Sequence, residues 1–133
     1  MKIELSIPFL PALELSSNRR RTTHWTLQSK ATKKTKTDFA LFIQPQLNRK
    51  YADVLQNAPY SGRFAVEVTL TFPNKRKRDV DGMVPMIKPL LDIFTGYLWV
   101  DDSMDIVHKL TIAAKYEKGI ERTEIIICFN ESD

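Results

Sequence analysis

The sequence predicts an α+β fold in which one mixed sheet of about four strands is covered by two or three helices. Stretches near residues 2–9, 64–72 and 106–116 alternate apolar and polar side chains, the period of a half-buried strand. Stretches around 39–43 and 83–94 place apolar residues three and four apart, the stripe of a helix packed on one side. With 133 residues, 43% of them hydrophobic and only four glycines, the chain has material for one core. Residues 1–133 are therefore read as a single domain.

The first strand puts Ile3, Leu5, Ile7 and Phe9 on one face and ends at Pro8 and Pro11. From Ser16 to Lys36 the chain turns polar and basic, with Arg19, Arg20, Arg21, His24, Lys30, Lys33, Lys34 and Lys36 around Trp25; this reads as a loop leading into a helix, with Asn18 shaping the turn. The helix carries Phe39, Phe42 and Ile43, and Pro45 is expected to end or kink it. A second short helix is expected within residues 46–56, and NAPYSG at 57–62 is a turn by composition. RFAVEVTLTF is the clearest strand, with Phe64, Val66, Val68, Leu70 and Phe72 on one side. Between Met83 and Phe94 the helical stripe contains Pro85 and Pro89. Proline suits a first turn and not an interior, so the regular helix is expected to begin near Lys88, after an irregular turn, and to end at Gly96. A further alternating strand runs from Ile106 to Tyr116, with His108 on its apolar face, and the EKG turn at 117–119 is expected to fold it into a β-hairpin with Thr123–Phe129.

Composition narrows the function classes. Lys plus Arg number 20 against 16 Asp plus Glu, for a net charge of +4 and a pI near 9.2, which favours a nucleic-acid partner. Cys128 is the single cysteine and has no internal disulfide partner. No apolar run approaches the ~18 residues of a membrane span, and a cytoplasmic location is expected. The basic run at 16–36 fits a solvated face, and it also fits phosphate contact, because like charges packed this densely repel unless a polyanion neutralises them.

The chemistry concentrates between Arg76 and Asp102. Asp79 and Asp81 leave a strand end with one residue between them, so in extended backbone both carboxylates point to one side. Asp102 follows across a helix that has room to turn the chain back toward the same sheet edge, and Lys88 and Asp92 are four apart on that helix. Carboxylates in basic surroundings suit a Mg²⁺ site acting on a polyanion, where the cation activates water and basic side chains hold phosphates. Taken singly the same residues are ordinary structure: Asp81-Gly82 is a turn, Asp101 and Asp102 stand where a turn is expected, and Lys88 with Asp92 is a surface ion pair.

RDVDG at 78–82, IKPLLDIFTG at 87–96 and LWVDDS at 98–103 together resemble the RusA-type Holliday-junction resolvases, and SSNRRRTTHW at 16–25 is similar to that family's basic entry segment. The resemblance implies an endodeoxyribonuclease of recombination and repair, often borne by prophages, that cuts four-way DNA junctions as a homodimer. It implies that Asp79, Asp81 and Asp102 bind Mg²⁺, with Mn²⁺ as a substitute, and that Lys88 completes the catalytic set. Asn18, Arg19, Arg20, Arg21, Lys33, Lys34, Arg76 and Arg78 are the expected DNA contacts. Gly82 stands where the family carries Asn, and the MVP stretch before Lys88 is extra, so an irregular turn is needed to bring the lysine into register. The competing readings are a nuclease for flaps or forks, a branched-DNA-binding protein with a degenerate site, and a protein-interaction domain with a solvated basic face.

Overall fold

The computed structural model describes residues 1–16 and 24–130. It contains one four-stranded sheet with the order β1-β4-β2-β3, built from β1 (Lys2–Ile7), β2 (Arg63–Phe72), β3 (Val107–Tyr116) and β4 (Arg122–Asn130). β4 runs antiparallel to both β1 and β2, while β2 and β3 are parallel. The helices are α1 (Trp25–Lys50), α2 (Ala52–Leu55) and α3 (Val84–Phe94), with 3₁₀ turns at Leu13–Leu15 and Val80–Met83.

The apolar faces of β1, β2 and β4 meet the apolar stripes of the helices. Ile3, Leu5 and Ile7 of β1, Val66, Val68 and Leu70 of β2, and Ile125 and Ile127 of β4 are buried. Over them lie Phe39, Ile43 and Leu47 of α1, and Met86, Ile87, Leu90 and Phe94 of α3. These are the i, i+4 and i, i+3 positions that bring one helical side to a core. The first strand and β2 form where the alternation places them.

Four expectations are corrected. The long helix does not stop at Pro45; it continues to Lys50 and breaks at Tyr51. Pro45 and Leu41, whose carbonyl the proline leaves without an amide, are both exposed residues, so that carbonyl is left on the solvent side of the helix, where the missing bond costs little. The helix after the acidic motif begins at Val84, not near Lys88, because Pro85 takes the second helical position, where no backbone donor is needed; Pro89 is accommodated inside the helix and buried. A 3₁₀ turn supplies the irregular segment before it.

The expected hairpin is absent. The turn after β3 passes over the end of β2, with Glu117 N–H donating to Phe72 O at 3.0 Å and Gly119 N–H to Pro73 O at 3.1 Å, and β4 enters on the far side of β2. β4 carries the apolar run IIICF and takes an inner position, whereas β3, with His108, Lys109 and Lys115, takes an edge. His108 is exposed there and does not sit on a buried face.

Candidate active site

The path from β2 into α3 sets the first part of the site. After Phe72 the chain runs through Pro73–Arg78 without regular structure and reaches Asp79 in extended conformation, with φ −96° and ψ 127°. Asp79 O then accepts from Gly82 N at 3.1 Å, closing the turn that contains Asp81. Asp81 therefore lies in a 3₁₀ turn and not in a strand, so strand alternation does not align it with Asp79. Both carboxylates are exposed, and among the described residues neither side chain has a hydrogen-bond or ion-pair partner.

The return path sets the second part. Thr95 closes α3, and Gly96 takes φ +81°, the left-handed turn that a side chain disfavours. Trp99 is wholly buried, its ring centroid 5.2 Å from both Phe64 and Phe94. Tyr60 pairs with this segment through Tyr60 N–H to Leu98 O at 2.8 Å and Val100 N–H to Tyr60 O at 3.0 Å. A buried aromatic anchor thus fixes the chain just before Asp101 and Asp102. Asp101 Oδ1 accepts from Ser103 N–H at 2.8 Å, and the bonds from Ser103 hold its carboxyl below the usual range. Asp101 shapes the turn and leaves Asp102 pointing elsewhere.

Asp102 meets the exposed side of α3. Lys88 Nζ lies 3.1 Å from Asp102 Oδ2 and 3.4 Å from Asp92 Oδ1, one turn further along the helix. Asp92 Oδ2 is held in turn by Lys36 Nζ of α1 at 3.2 Å. The result is a row of alternating charges, Lys36, Asp92, Lys88 and Asp102, reaching across both helices. The hydrogen bond to Asp102, with further attraction from both carboxylates, raises the Lys88 pKa above its ordinary value against a smaller desolvation effect. The ammonium therefore keeps its proton and acts as a cation and donor, not as a base.

At the acidic turn a cleft of about 310 Å³ is lined by Asp79 together with Ser16, Phe72, Arg76, Lys77 and Arg78, with Met83 and Met86 at its apolar wall. A neighbouring cleft shares Phe72, Arg76 and Arg78 and adds Lys75 and Lys115. Arg78 stacks over the Phe72 ring at 4.1 Å and donates to Asn74 Oδ1 at 2.8 Å and Asn74 O at 3.1 Å. Burial first, then repulsion from Arg76, lowers its pKa. Arg78 thus braces the loop, while among the described residues the Arg76 and Lys77 side chains are unpaired.

The family model of the endodeoxyribonuclease RusA matches residues 11–128 of the chain. The chain belongs to the RusA family. No curated protein matches it. Membership makes it an endodeoxyribonuclease of the kind that acts on Holliday junctions and binds branched DNA.

Measured against that family, the structure brings Lys88 and Asp102 together and leaves the acidic set open. Among the described residues no three acidic, histidine or cysteine side chains stand close enough to hold a metal ion together. The donor chemistry nevertheless fits a hard cation, since Mg²⁺ takes one or two carboxylates with water and phosphate oxygens for the rest, and Asp79 and Asp81 are exposed and, among the described residues, unpaired. The residues fit an open site, not a closed three-carboxylate cage. Of the expected DNA contacts, Asn18, Arg19, Arg20 and Arg21 lie outside the described residues. Lys33 is exposed and unpaired among those described, and Lys34 forms an i, i+4 pair with Asp38 at 2.7 Å. In this RusA-family chain sequence reasoning missed Lys36 as a neighbour of the site. Its only sequence signal was a place in a basic run, and the pairing with Asp92 depends on how two distant helices pack.

Proposed function

We propose that this endodeoxyribonuclease is a Mg²⁺-dependent, structure-selective resolvase that cuts four-way junctions and related branched DNA as a cytoplasmic homodimer, with residues 1–133 forming the catalytic domain. The observation that carries the reading is the meeting at 3.1 Å of Lys88, on α3, with Asp102, in the turn that follows the helix, on the stretch that also presents two carboxylates unpaired among the described residues and a basic cleft. Asp79, Asp81 and Asp102 are the residues proposed for the cation, with Mn²⁺ as a substitute; in this open arrangement one or two of them would bind directly, with water and phosphate oxygens completing the shell. Bound there, it supplies activation of water and neutralisation of charge on the phosphate oxygens.

The chain's own groups do the rest. Lys88 has three N–H donors, of which two face carboxylates, so one remains for a phosphate or leaving oxygen. As a cation it stabilises charge that grows in the transition state. Arg76 and Lys77 supply free charge for the flanking backbone, and Arg78 keeps their loop in place. A two-fold partner has a surface to use on β3, an edge strand whose Leu110 and Tyr116 remain 38% and 42% exposed.

The test is cleavage of an end-labelled synthetic four-way junction, with linear duplex and a flap as controls. Paired nicks at symmetry-related positions of the junction, with duplex intact, support the reading. Preferential cutting of flaps moves the assignment to a replication-fork nuclease, and junction binding without any cut would make the protein a non-catalytic binder.

A further inference from the structure

Asp92 is gripped on both carboxylate oxygens by lysines from two different helices: Oδ2 by Lys36 of α1 at 3.2 Å and Oδ1 by Lys88 of α3 at 3.4 Å. We propose that Asp92, braced by Lys36, is a positioning residue that holds the Lys88 ammonium at the reacting phosphate while Asp102 serves the cation. The inference rests on the reading above, in which Lys88 and Asp102 belong to the site.

In the structure Lys88 is shared between two carboxylates, with Asp102 the nearer. A divalent cation at Asp102 would weaken that carboxylate's hold and repel the ammonium directly. The Lys88 side chain is 67% exposed on a flexible stem, so without a second anion it would swing into water. Asp92 is the second anion, one helical turn away and therefore on the same face of α3. Its own side chain has rotational freedom, and Lys36 removes it by occupying the other oxygen from α1. Stability alone does not account for this row of charges, because ion pairs as exposed as these contribute little to folding.

The row also assigns a task to the packing of α1 on α3. That contact brings Lys36 within reach of Asp92, 56 positions away in the chain. Catalytic geometry at Lys88 thereby depends on a residue that meets neither phosphate nor cation. Lys36 acts only through Asp92, and this dependence gives the experiment its distinguishing feature.

The measurement is the single-turnover cleavage rate of preformed protein–junction complexes at saturating Mg²⁺, with junction affinity in EDTA and the thermal midpoint measured on the same samples. Asp92→Asn is expected to slow cleavage by about 10- to 100-fold, the scale of a misplaced catalytic group. Affinity and midpoint should stay at wild-type values. Lys36→Met is expected to slow it by about fivefold and Lys36→Arg to restore it, while the double variant is no slower than Asp92→Asn alone, since coupled residues are not additive. A wild-type rate for Asp92→Asn, or multiplying effects in the double variant, overturns the proposal. So does a rate loss that merely tracks loss of folded protein. If Lys88→Met cleaves as wild type, the reading of Lys88 itself fails, a result distinct from failure at Asp92.

Discussion

Asp101 and Asp102 are neighbours with the same side chain and opposite assignments. Asp101 spends its carboxylate on Ser103 N–H, and Asp102 meets Lys88. Asp101→Asn, which keeps an acceptor oxygen, should leave junction cleavage within about twofold of wild type, while Asp101→Ala releases the turn and should cost about tenfold. Rates measured side by side with Asp102→Ala, expected to be inactive, check the division. The charge state of Lys88 makes a second prediction. Its folded pKa is raised, so whatever its ion pairs contribute is fully present below the ordinary lysine value and is lost only as pH rises through the higher folded value. Between roughly pH 6 and 9 the cleavage profile should therefore show no falling limb from Lys88. Lys88→Arg, slower but equally cationic, should give a profile of the same shape, and a limb present in wild type and absent in the arginine variant would contradict it. Spacing singles out Asp79, Asp81, Lys88 and Asp102 as candidates because they share one short stretch, while their proposed roles come from the family resemblance. Lys36 could not, because helix packing places it there.

α3 and its ends matter more than any other element, because they carry Lys88 and return the chain to Asp102. The cap at Gly96 takes a conformation that alanine adopts only with strain. Gly96→Ala should cost about 1 kcal/mol in a denaturant titration, with no steric contribution, since nothing lies within 4 Å of the added carbon. A larger loss would mean that the cap does more than turn the chain. The strands at 2–7 and 63–72 were legible because their alternation is uninterrupted and half-buried. Pro45 misled because a proline on an exposed helical face leaves its orphan carbonyl to water. The hairpin misled because turn chemistry reports a reversal and not which strand lies alongside. The apolar run of β4 and the charged positions of β3 already held the inner and edge assignments.

Over the whole molecule, the parallel pairing of β2 with β3 requires a crossover, and α3 is that crossover. The fold thus delivers the acidic turn at one end of the crossover helix and the Asp101-Asp102 turn at the other, with α1 packed alongside to bring in Lys36. The excess of basic residues is uneven in effect: Lys34, Lys36 and Arg78 are committed to internal partners, while Arg76 and Lys77 are free among the described residues. Junction affinity should fall linearly in a log–log plot against salt, and Arg76→Ala should reduce that slope by about one. Unchanged slopes would remove Arg76 from the DNA path. The central claim, that Asp102 and its neighbours hold a divalent cation beside Lys88, is tested most directly by the rate of junction cleavage against Mg²⁺ concentration for wild type and Asp102→Asn. The account predicts a saturable rise for wild type, abolished by EDTA, and no cleavage by the variant although it still binds the junction. Cleavage that persists in EDTA, or that survives in Asp102→Asn, would contradict it.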